Sequence, residues 1–372
     1  MVNLVLDDDA RMLKDSAERF MADKLPVKEL RRVRDTEDAD GFSRDAWAEM
    51  AAMGFAGALI PEEFGGAGMG HVAMGLVMEA AGRNLSPSPL FATAVLGVSA
   101  VALAGSEAQK ADILPRVAEG KLLLALAVDE FRRHRPTQVD TEATPEGDGY
   151  TLRGAKLNVA DGHVADRIVV SAKTPDGAVG LFLVDSGATG LEVERTVMVD
   201  SRNAAILRFE GTPAVALGDV GAGAGALAQV LDIGAAHLSA ELLGLSLEAF
   251  ERTVAYINER KQFGVIIGTF QSLQHRAAHL FAEIELVKSA VLAALSALDE
   301  GAERTPLLVS LAKAKAAQVA DLATNEGIQM HGGVGMTDEY DIGLYMKRAR
   351  PAAQMLGDER FHTDRFATLR GY

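Results

Sequence analysis

The spacing of apolar residues divides the chain into three stretches of different character. In residues 1–118, positions such as Leu13, Ala17 and Phe20 recur at helical intervals, which places one apolar stripe opposite charged residues. The glycine-rich segment PEEFGGAGMG and the two prolines of LSPSPL interrupt that pattern as loops. The sequence therefore predicts an all-α N-terminal domain over these residues.

Short strands are predicted in the middle of the chain, over residues 119–226. Segments such as YTLRGAKLN, DRIVVSAKT and GLFLVD are rich in β-branched and aliphatic residues, and Gly, Asp and Pro separate them. We interpret this block as a small antiparallel β domain. The segment VGAGAGALAQ at its end is interpreted as a linker rather than a phosphate-binding loop, because no alternation of strands and helices precedes it.

Long helices are predicted in the remaining residues, 227–372. Their expected bounds are residues 236–260, 271–298 and 305–331. Thr305 can cap the third helix and Gly332–Gly333 can end it. Helices, then strands, then long helices give an α+β fold with segregated layers, ending in a helical bundle.

Composition narrows the possible functions. The 372 residues carry a formal net charge of −15 and no cysteine. That charge argues against nucleic-acid binding, and the absence of cysteine excludes disulfides. No signal peptide, transit peptide or membrane span is predicted, so a cytoplasmic location is expected. No metal site is predicted.

Two C-terminal segments carry a spaced set of residues. They are ERKQFGVIIGTFQ and IQMHGGVGMTDEYDIGLYMKRA. This pattern resembles the acyl-CoA dehydrogenase family, which reads R-x-x-F-G, then F/H-Q, then Q-x-x-G-G-x-G. PEEFGGAG, GSEAQKADILPRVAEGK and MVDSRNAAILRFEGTPA are similar to other family segments, so the resemblance covers nearly the whole chain. The matching residues are Arg260, Phe263, Gly264, Gln271, Gln329, Gly332, Gly333 and Gly335.

The resemblance implies a helical N-terminal domain, a middle β domain and a C-terminal four-helix bundle. It also implies that FAD lies between the β domain of one subunit and the bundle of its neighbour. Arg260 would pair with the pyrophosphate, because a guanidinium fork matches phosphate oxygens. The other implied FAD contacts are Phe263, Gln271, Gln329, Gly332 and Gly333. Without the resemblance, Arg260 reads as a favourable cation at a helix C-terminus.

The sequence departs from the family in the two motifs with which the family contacts its flavin ring. The family's T-E-P-x-x-G-S-D corresponds to DEFRRHRP here, so Asp129 replaces the threonine and Phe131 the proline, while Glu130 is retained. The family's W-I-T/S becomes Asn158 to Ala160. A carboxylate at Asp129 would disfavour negative charge on a reduced flavin. The cluster of residues 132–135, RRHR, either holds an anion or is a solvated loop.

The family's general base is also missing. The usual glutamate position is Leu356, and the alternative position near the start of the first bundle helix is Gly234. Asp358 lies beside the first position, and Glu241 lies two helical turns beyond the second on the same face. Either could substitute as the base, although a polar bundle rim is the preferred interpretation of Asp358.

These features lead to a functional hypothesis with three alternatives. The chain resembles the degenerate subunit of heterotetrameric family members, supporting FAD-dependent α,β-dehydrogenation of a CoA thioester by completing a partner's flavin site. The implied partners are an acyl-CoA substrate, a second acyl-CoA dehydrogenase subunit, and an electron-transfer flavoprotein or similar acceptor. The alternatives are a self-sufficient homotetrameric enzyme with a relocated base, a flavin monooxygenase, and a non-catalytic scaffold.

Overall fold

Helices, strands and long helices follow one another in the order expected from the sequence. A computed structural model describes residues 6–372. Residues 1–5, with which the predicted N-terminal domain begins, lie outside the described part. The α-helices of that part are α1 (Asp8–Lys24), α2 (Val27–Asp35), α3 (Arg44–Ala52), α4 (Gly70–Asn84), α5 (Val98–Ala104), α6 (Glu107–Ala118), α7 (Gly223–Glu259), α8 (Gln271–Asp299), α9 (Thr305–His331), α10 (Ile342–Gln354) and α11 (Glu359–Leu369). The strands are β1 (Leu124–Ala127), β2 (Glu142–Glu146), β3 (Gly149–Ala160), β4 (Arg167–Lys173), β5 (Val179–Asp185), β6 (Leu191–Val197), β7 (Asn203–Ala216), β8 (Lys261–Gln262) and β9 (Val265–Ile266).

These elements form two compact units that do not follow the chain order. The bundle unit comprises the described residues up to Arg31, His71–Ser86 and Ala235–Tyr372. The barrel unit comprises Arg32–Gly70 and Pro87–Gly234. The N-terminal helices are thus shared between them: α1 and α4 belong to the bundle unit, whereas α3, α5 and α6 belong to the barrel unit.

The strands of the barrel unit close into a ring. Strand β4 pairs with β5, β5 with β7, β7 with β3, β3 with β2, and β2 with β4, while β1 and β6 attach to β4 and β7. Most of these pairs are antiparallel, as predicted, but β1 and β2 run parallel to β4. The long connection between β1 and β4 makes the parallel pairing possible, because parallel neighbours need a crossover rather than a hairpin.

Small and aromatic side chains fill the barrel. Its buried core combines alanines with larger residues, which lets the strands close tightly around a narrow interior. The core residues are Ala125, Ala127, Ala143, Leu152, Val159, Ala165, Ile168, Val170, Ala172, Phe182, Val184, Ala205, Leu207, Phe209 and Ala214.

Helix α7 begins earlier than predicted. The segment VGAGAGALAQ was expected to be a linker, and this is wrong from Gly223 onward, where α7 starts. The glycine serves close packing, because a side-chain carbon at Gly223 would lie 2.7 Å from the Cα of Gly180. Alanine then favours the helix. By length and composition the helical stretch Val220–Glu259 could cross a bilayer, yet 94% of its most apolar window is buried inside the protein, as in a core helix.

Helix α9 has nearly the predicted limits. It runs from Thr305 to His331 and stops at Gly332, and Pro306 lies in its first turn. The expectation that Thr305 caps the helix is wrong, because Arg304 is the capping residue and Thr305 is already helical. The Thr305 hydroxyl instead donates to the carbonyls of Ala297 and Ala302, which ties the start of α9 to the end of α8.

Candidate functional site

The first predicted nucleotide contacts lie around a short hairpin between α7 and α8. Strands β8 and β9 are antiparallel, and φ is positive at both residues of their turn, 51° at Phe263 and 80° at Gly264. This is the pattern of a type I′ hairpin turn. The turn leaves the Phe263 ring 90% exposed. Arg260 directly precedes the hairpin, Gln271 begins α8, and both are exposed. All three side chains are open to a ligand or to another chain.

A second group of predicted contacts lies at the C-terminal end of α9. Gly332 has φ 63° and ψ −137°, a conformation that favours glycine. Gly333 has no positive φ, and a side-chain carbon built there would meet no atom within 4 Å. Gln329, Gly332 and Gly333 are all exposed. Packing within the chain gives no reason for glycine at position 333, whereas close approach by a group from outside would give one.

Contacts among α7, α8 and α9 bring these two groups to the same end of the bundle unit. The ring of Tyr256, one turn before Arg260, stacks on His331 with centroids 4.3 Å apart. Arg276, near the start of α8, forms a 2.6 Å ion pair with Glu326, near the end of α9. The structure therefore gathers all six sequence-predicted FAD contacts at one end of one unit.

His331 stabilises that end of the bundle as a neutral imidazole. Its Nδ1 lies 2.6 Å from the Gly327 carbonyl oxygen, which requires Nδ1 to be the donor. Burial lowers the pKa of His331, and the charge of Arg252 lowers it further. The stack therefore stays uncharged at neutral pH.

The positions that correspond to the family's ring contacts lie together in the barrel unit. The Leu157 amide donates to the Asp129 carbonyl at 2.7 Å, so the end of β1 is adjacent to the stretch that contains Asn158. The Asp129 carboxylate is 2.8 Å from Nδ1 of His134. Asn158 has φ 53° within a register shift of β3, where asparagine is better tolerated than most residues. These positions are adjacent in the structure, and the carboxylate there is already engaged by a neighbour.

Glu130, the retained residue of the ring motif, has a structural role in the barrel unit. Its carboxylate accepts from Lys156 Nζ at 2.6 Å and from the amides of Asp140 and Thr141 at 2.6 and 3.0 Å. Lys156 is fully buried and also donates to the Val128 carbonyl and the Ser171 hydroxyl. Although burial opposes it, attraction to Lys156 lowers the pKa of Glu130, whereas burial lowers the pKa of Lys156. Maintenance of the barrel thus explains why Glu130 persists.

At the usual base position the backbone is constrained, although the glutamate is absent. Leu356 has φ 58° and is buried, and Gly357 has φ 105°. A side-chain carbon at Gly357 would lie 2.4 Å from Phe361 Cδ1. Asp358 caps α11, where its Oδ1 accepts from the Phe361 amide at 2.8 Å. The carboxylate of Asp358 is therefore used as a helix cap.

The second substitute base is buried in an ion pair. Glu241 lies on α7 beyond Gly234, and its Oε1 is 3.3 Å from Arg348 Nη1 of α10. The two side chains are 4% and 3% exposed. The Glu241 carboxylate is therefore engaged by a guanidinium and shielded from solvent.

A residue that sequence reasoning missed holds the base segment in place. Lys313 of α9 is fully buried and donates to the carbonyls of Ala353 and Gly357 at 2.8 and 3.0 Å. Burial lowers its pKa to about 7. The signal was available, because Lys313 lies on the same helical face as Val309 and Ala316 in an alanine-rich apolar stretch.

Family models and known proteins match most of this chain. The C-terminal domain of acyl-CoA dehydrogenases matches residues 221–368, and the N-terminal domain matches residues 7–121. Cyclohex-1-ene-1-carbonyl-CoA dehydrogenase of Syntrophus aciditrophicus is 29% identical over 344 residues, covering 89% of this chain and 83% of that protein.

Two solved structures extend the match over the whole fold. A variant of the steroid ACAD Tcur3481–Tcur3483 is 33% identical, with a TM-score of 0.90 and 98% of each chain covered. PigA, in a complex with FAD and proline, is 25% identical, with a TM-score of 0.90 and 99% of each chain covered. The fold and these matches agree on the architecture, which is an α+β chain with helical ends and a middle β region. The chain belongs to the acyl-CoA dehydrogenase family, which consists of FAD-dependent oxidoreductases.

The two units differ in how well they fit the family's cofactor. The bundle unit offers an exposed guanidinium at Arg260, amide groups at Gln271 and Gln329, and a glycine turn with open space above it. These suit a pyrophosphate and a nucleotide. The barrel unit offers the Asp129 carboxylate at a ring position, which does not suit a flavin that gains negative charge on reduction. The exposed residues of the bundle unit thus suit a dinucleotide better than the Asp129 carboxylate suits a reduced flavin ring.

Proposed function

We propose that this chain completes the flavin site of a different, complete family member in a heterotetramer, while its own cleft is inactive. One observation carries the proposal: all six contacts for a neighbour's FAD are exposed and gathered at one end of the bundle unit. By contrast, the two candidate base carboxylates, those of Glu241 and Asp358, are engaged by neighbouring groups.

In the family reaction, a carboxylate removes the α-proton of a CoA thioester, and FAD supplies the acceptor for the hydride of the β-carbon. Leu356 and Gly234 cannot take that proton, since neither has a titratable side chain. The role left to this chain is to hold the nucleotide. Arg260 would bind the pyrophosphate, Gln271 the adenosine portion, and Gln329 with Gly332–Gly333 the dinucleotide backbone.

Exposed apolar side chains around the hairpin support a second chain at this end. Phe263 is 90% exposed, Met336 78%, Val265 42%, Phe270 37% and Ile266 36%. The rings of Phe263 and Phe270 contact each other at 6.2 Å in an edge-on arrangement. Clustered apolar surface beside polar ligand groups is typical of a protein interface.

The substrate class follows from the resemblance and from one relative. Heterotetrameric family members handle bulky CoA thioesters such as steroid side-chain intermediates, and the relative at 33% identity is named a steroid ACAD with two components. We propose a bulky acyl-CoA substrate for the complex and an electron-transfer flavoprotein or similar acceptor for its electrons.

The alternative of a relocated base has no support from the geometry. Asp358 is occupied as the cap of α11, and Glu241 is buried with Arg348. Purification of the chain alone separates the remaining possibilities. We expect colourless protein that makes an otherwise inactive partner yellow and active. Yellow protein that bleaches with an acyl-CoA would instead establish a self-sufficient enzyme. Yellow protein that consumes oxygen with reduced flavin would establish a monooxygenase.

Arg260→Ala in the complex copurified from the native host tests the donated contact itself. Loss of a charge-assisted hydrogen bond of about 1.5–3 kcal/mol weakens FAD binding roughly ten- to hundredfold. Arg304→Ala is the matched control, since Arg304 is exposed and lies at the other end of α9, about 40 Å away by helix length. Unchanged flavin content in Arg260→Ala, measured by absorbance at equal protein concentration, would overturn the proposal.

A further inference from the structure

A basic loop in the barrel unit is not accounted for by the flavin contacts. Residues 131–139, FRRHRPTQV, connect β1 towards β2 and contain three arginines and no acidic residue. We call this segment the arginine loop. Its local charge is opposite to the −15 of the whole chain.

Buried anchors fix both ends and the middle of the arginine loop. The Glu130 carboxylate accepts from the Asp140 and Thr141 amides, which clamps the two ends together. His134 is held by the Asp129 carboxylate at 2.8 Å, and its side chain is 5% exposed. Val139 is 8% exposed. The backbone of the loop is therefore ordered before a ligand binds, so that binding does not carry the entropic cost of ordering it.

The outward side chains include the three arginines. Arg132, Arg133 and Arg135 are exposed, and no ion pair with a carboxylate is found for them within residues 6–372. Arg135 donates to Gln138 Oε1 at 3.5 Å. Other arginines of this unit, such as Arg44 and Arg167, are paired with aspartates.

The spacing of these guanidinium groups suits a compact anion. Four consecutive residues span at most about 11 Å of extended chain, so three positive charges lie within reach of one polyphosphate. At physiological ionic strength the screening length is about 8 Å, so the distant acidic residues of the chain contribute little at the loop. The carboxylates of Asp129 and Glu130, directly before the loop, are engaged with His134 and Lys156, whereas Asp140, directly after it, is exposed.

We infer that the arginine loop binds the phosphate groups of a nucleotide. A guanidinium group can form two parallel hydrogen bonds with phosphate oxygens. The loop presents such groups on an ordered backbone, and this arrangement favours phosphate binding over a merely solvated surface. A CoA thioester and a dinucleotide both carry such phosphates, and the shared pyrophosphate chemistry is what the loop would recognise. This inference does not depend on the donated FAD contacts, which belong to the bundle unit.

Calorimetric titration of the purified chain with inorganic pyrophosphate tests the inference. We expect saturable binding that weakens with added salt and becomes at least tenfold weaker in the Arg132→Gln/Arg133→Gln double variant. Arg153→Gln is the matched control, because Arg153 is an exposed arginine of the same unit for which no ion pair is found either. Repeating the titrations in an Arg260→Ala background removes the guanidinium that we propose for the FAD pyrophosphate, so the binding that remains there reports the arginine loop.

Competition experiments identify the molecule whose phosphate groups the loop binds. Competition of CoA with pyrophosphate at the wild-type loop would point to the substrate, and competition of FAD to the dinucleotide; either result supports the inference. Absence of pyrophosphate binding would overturn it. So would equal weakening in Arg153→Gln, or binding only of an acidic polypeptide such as polyglutamate. Thermal unfolding of each variant verifies that it is folded.

Discussion

Two sets of polar residues stand at positions where the family contacts FAD, and they differ in how far they are engaged within the chain. At the end of the bundle unit, Arg260, Gln271 and Gln329 are exposed and form no ion pair among the described residues. In the barrel unit, Asp129 and Glu130 are bound to His134 and Lys156. The first set is accessible to a ligand or to another chain, whereas the second set forms contacts that stabilise the barrel unit. We propose that this division reflects a supporting role for the chain rather than general decay.

Two glycines show the same contrast within the bundle unit. Gly357 is required from inside, because its φ is 105° and a side-chain carbon would lie 2.4 Å from Phe361. Gly333 has open space and no positive φ. Replacement of Gly357, which packing inside the chain requires, should therefore lower stability. Replacement of Gly333, which has no such requirement, should instead weaken the binding of a group from outside the chain.

The largest expected effect comes from breaking the buried pair in the barrel. Glu130→Ala leaves the Lys156 ammonium buried without its carboxylate, which should lower the free energy of unfolding by about 3–5 kcal/mol. Urea unfolding of the chain alone measures the change. Arg208→Ala is the control, because it removes an exposed ion pair of the same unit and should change stability little. Wild-type stability in Glu130→Ala together with lost flavin in the complex would mean that Glu130 serves the ring after all.

Gly357→Ala should be the next most damaging change. The alanine methyl group would collide with Phe361 and with His362 Nε2, which is 2.9 Å from the same position. Backbone strain and overpacking together should cost about 2–4 kcal/mol. Thermal unfolding of the chain alone checks this, and a change smaller than about 0.5 kcal/mol, the range of ordinary surface substitutions, would show that the segment around Leu356 is not held as described.

A pH series can isolate the contribution of Lys313. Its pKa is about 7 in the folded chain against an ordinary value of 10.5, so between these values the unfolded chain binds the additional proton. Raising the pH through this window therefore favours the folded state, by at most about 1.4 kcal/mol per pH unit. We expect the urea midpoint of the wild type to rise from pH 7 to 8.5 relative to that of Lys313→Met. Parallel pH profiles for the two proteins would contradict the assignment.

Local patterns in the sequence predicted more of this molecule than non-local ones. The limits of α9 and the start of α8 followed from helical periodicity, proline and glycine. The parallel pairing of β1 with β4 was not predictable, because the two strands are separated by about forty residues and no local signal marks their contact. The cap formed by Asp358 could have been predicted from an aspartate directly before a helix.

The candidate site divides in the same way. The candidate dinucleotide contacts were predicted from the family resemblance, and the structure adds that they share one end of the bundle unit. The pairs Glu130–Lys156 and Glu241–Arg348 were missed, because each joins residues far apart in the chain. The sequence could show which family positions had changed, but not that the remaining carboxylates were already engaged.

The smallest effect on the chain itself is expected for Gly333→Ala, and this makes it the sharpest test of the contrast. A methyl group there meets no atom within 4 Å, so the free energy of unfolding of the chain alone should change by less than about 0.5 kcal/mol. In the complex the same methyl group would stand where a dinucleotide approaches the backbone, and flavin content should fall. Phe263→Ser is its companion: the ring is 90% exposed in the chain alone, so stability should hold while assembly with the partner weakens, as measured by size-exclusion chromatography across a dilution series. If Gly333→Ala retains full flavin in an intact complex, the open space above the glycine turn is ordinary solvent, and the distinction between inward and outward residues loses its strongest support.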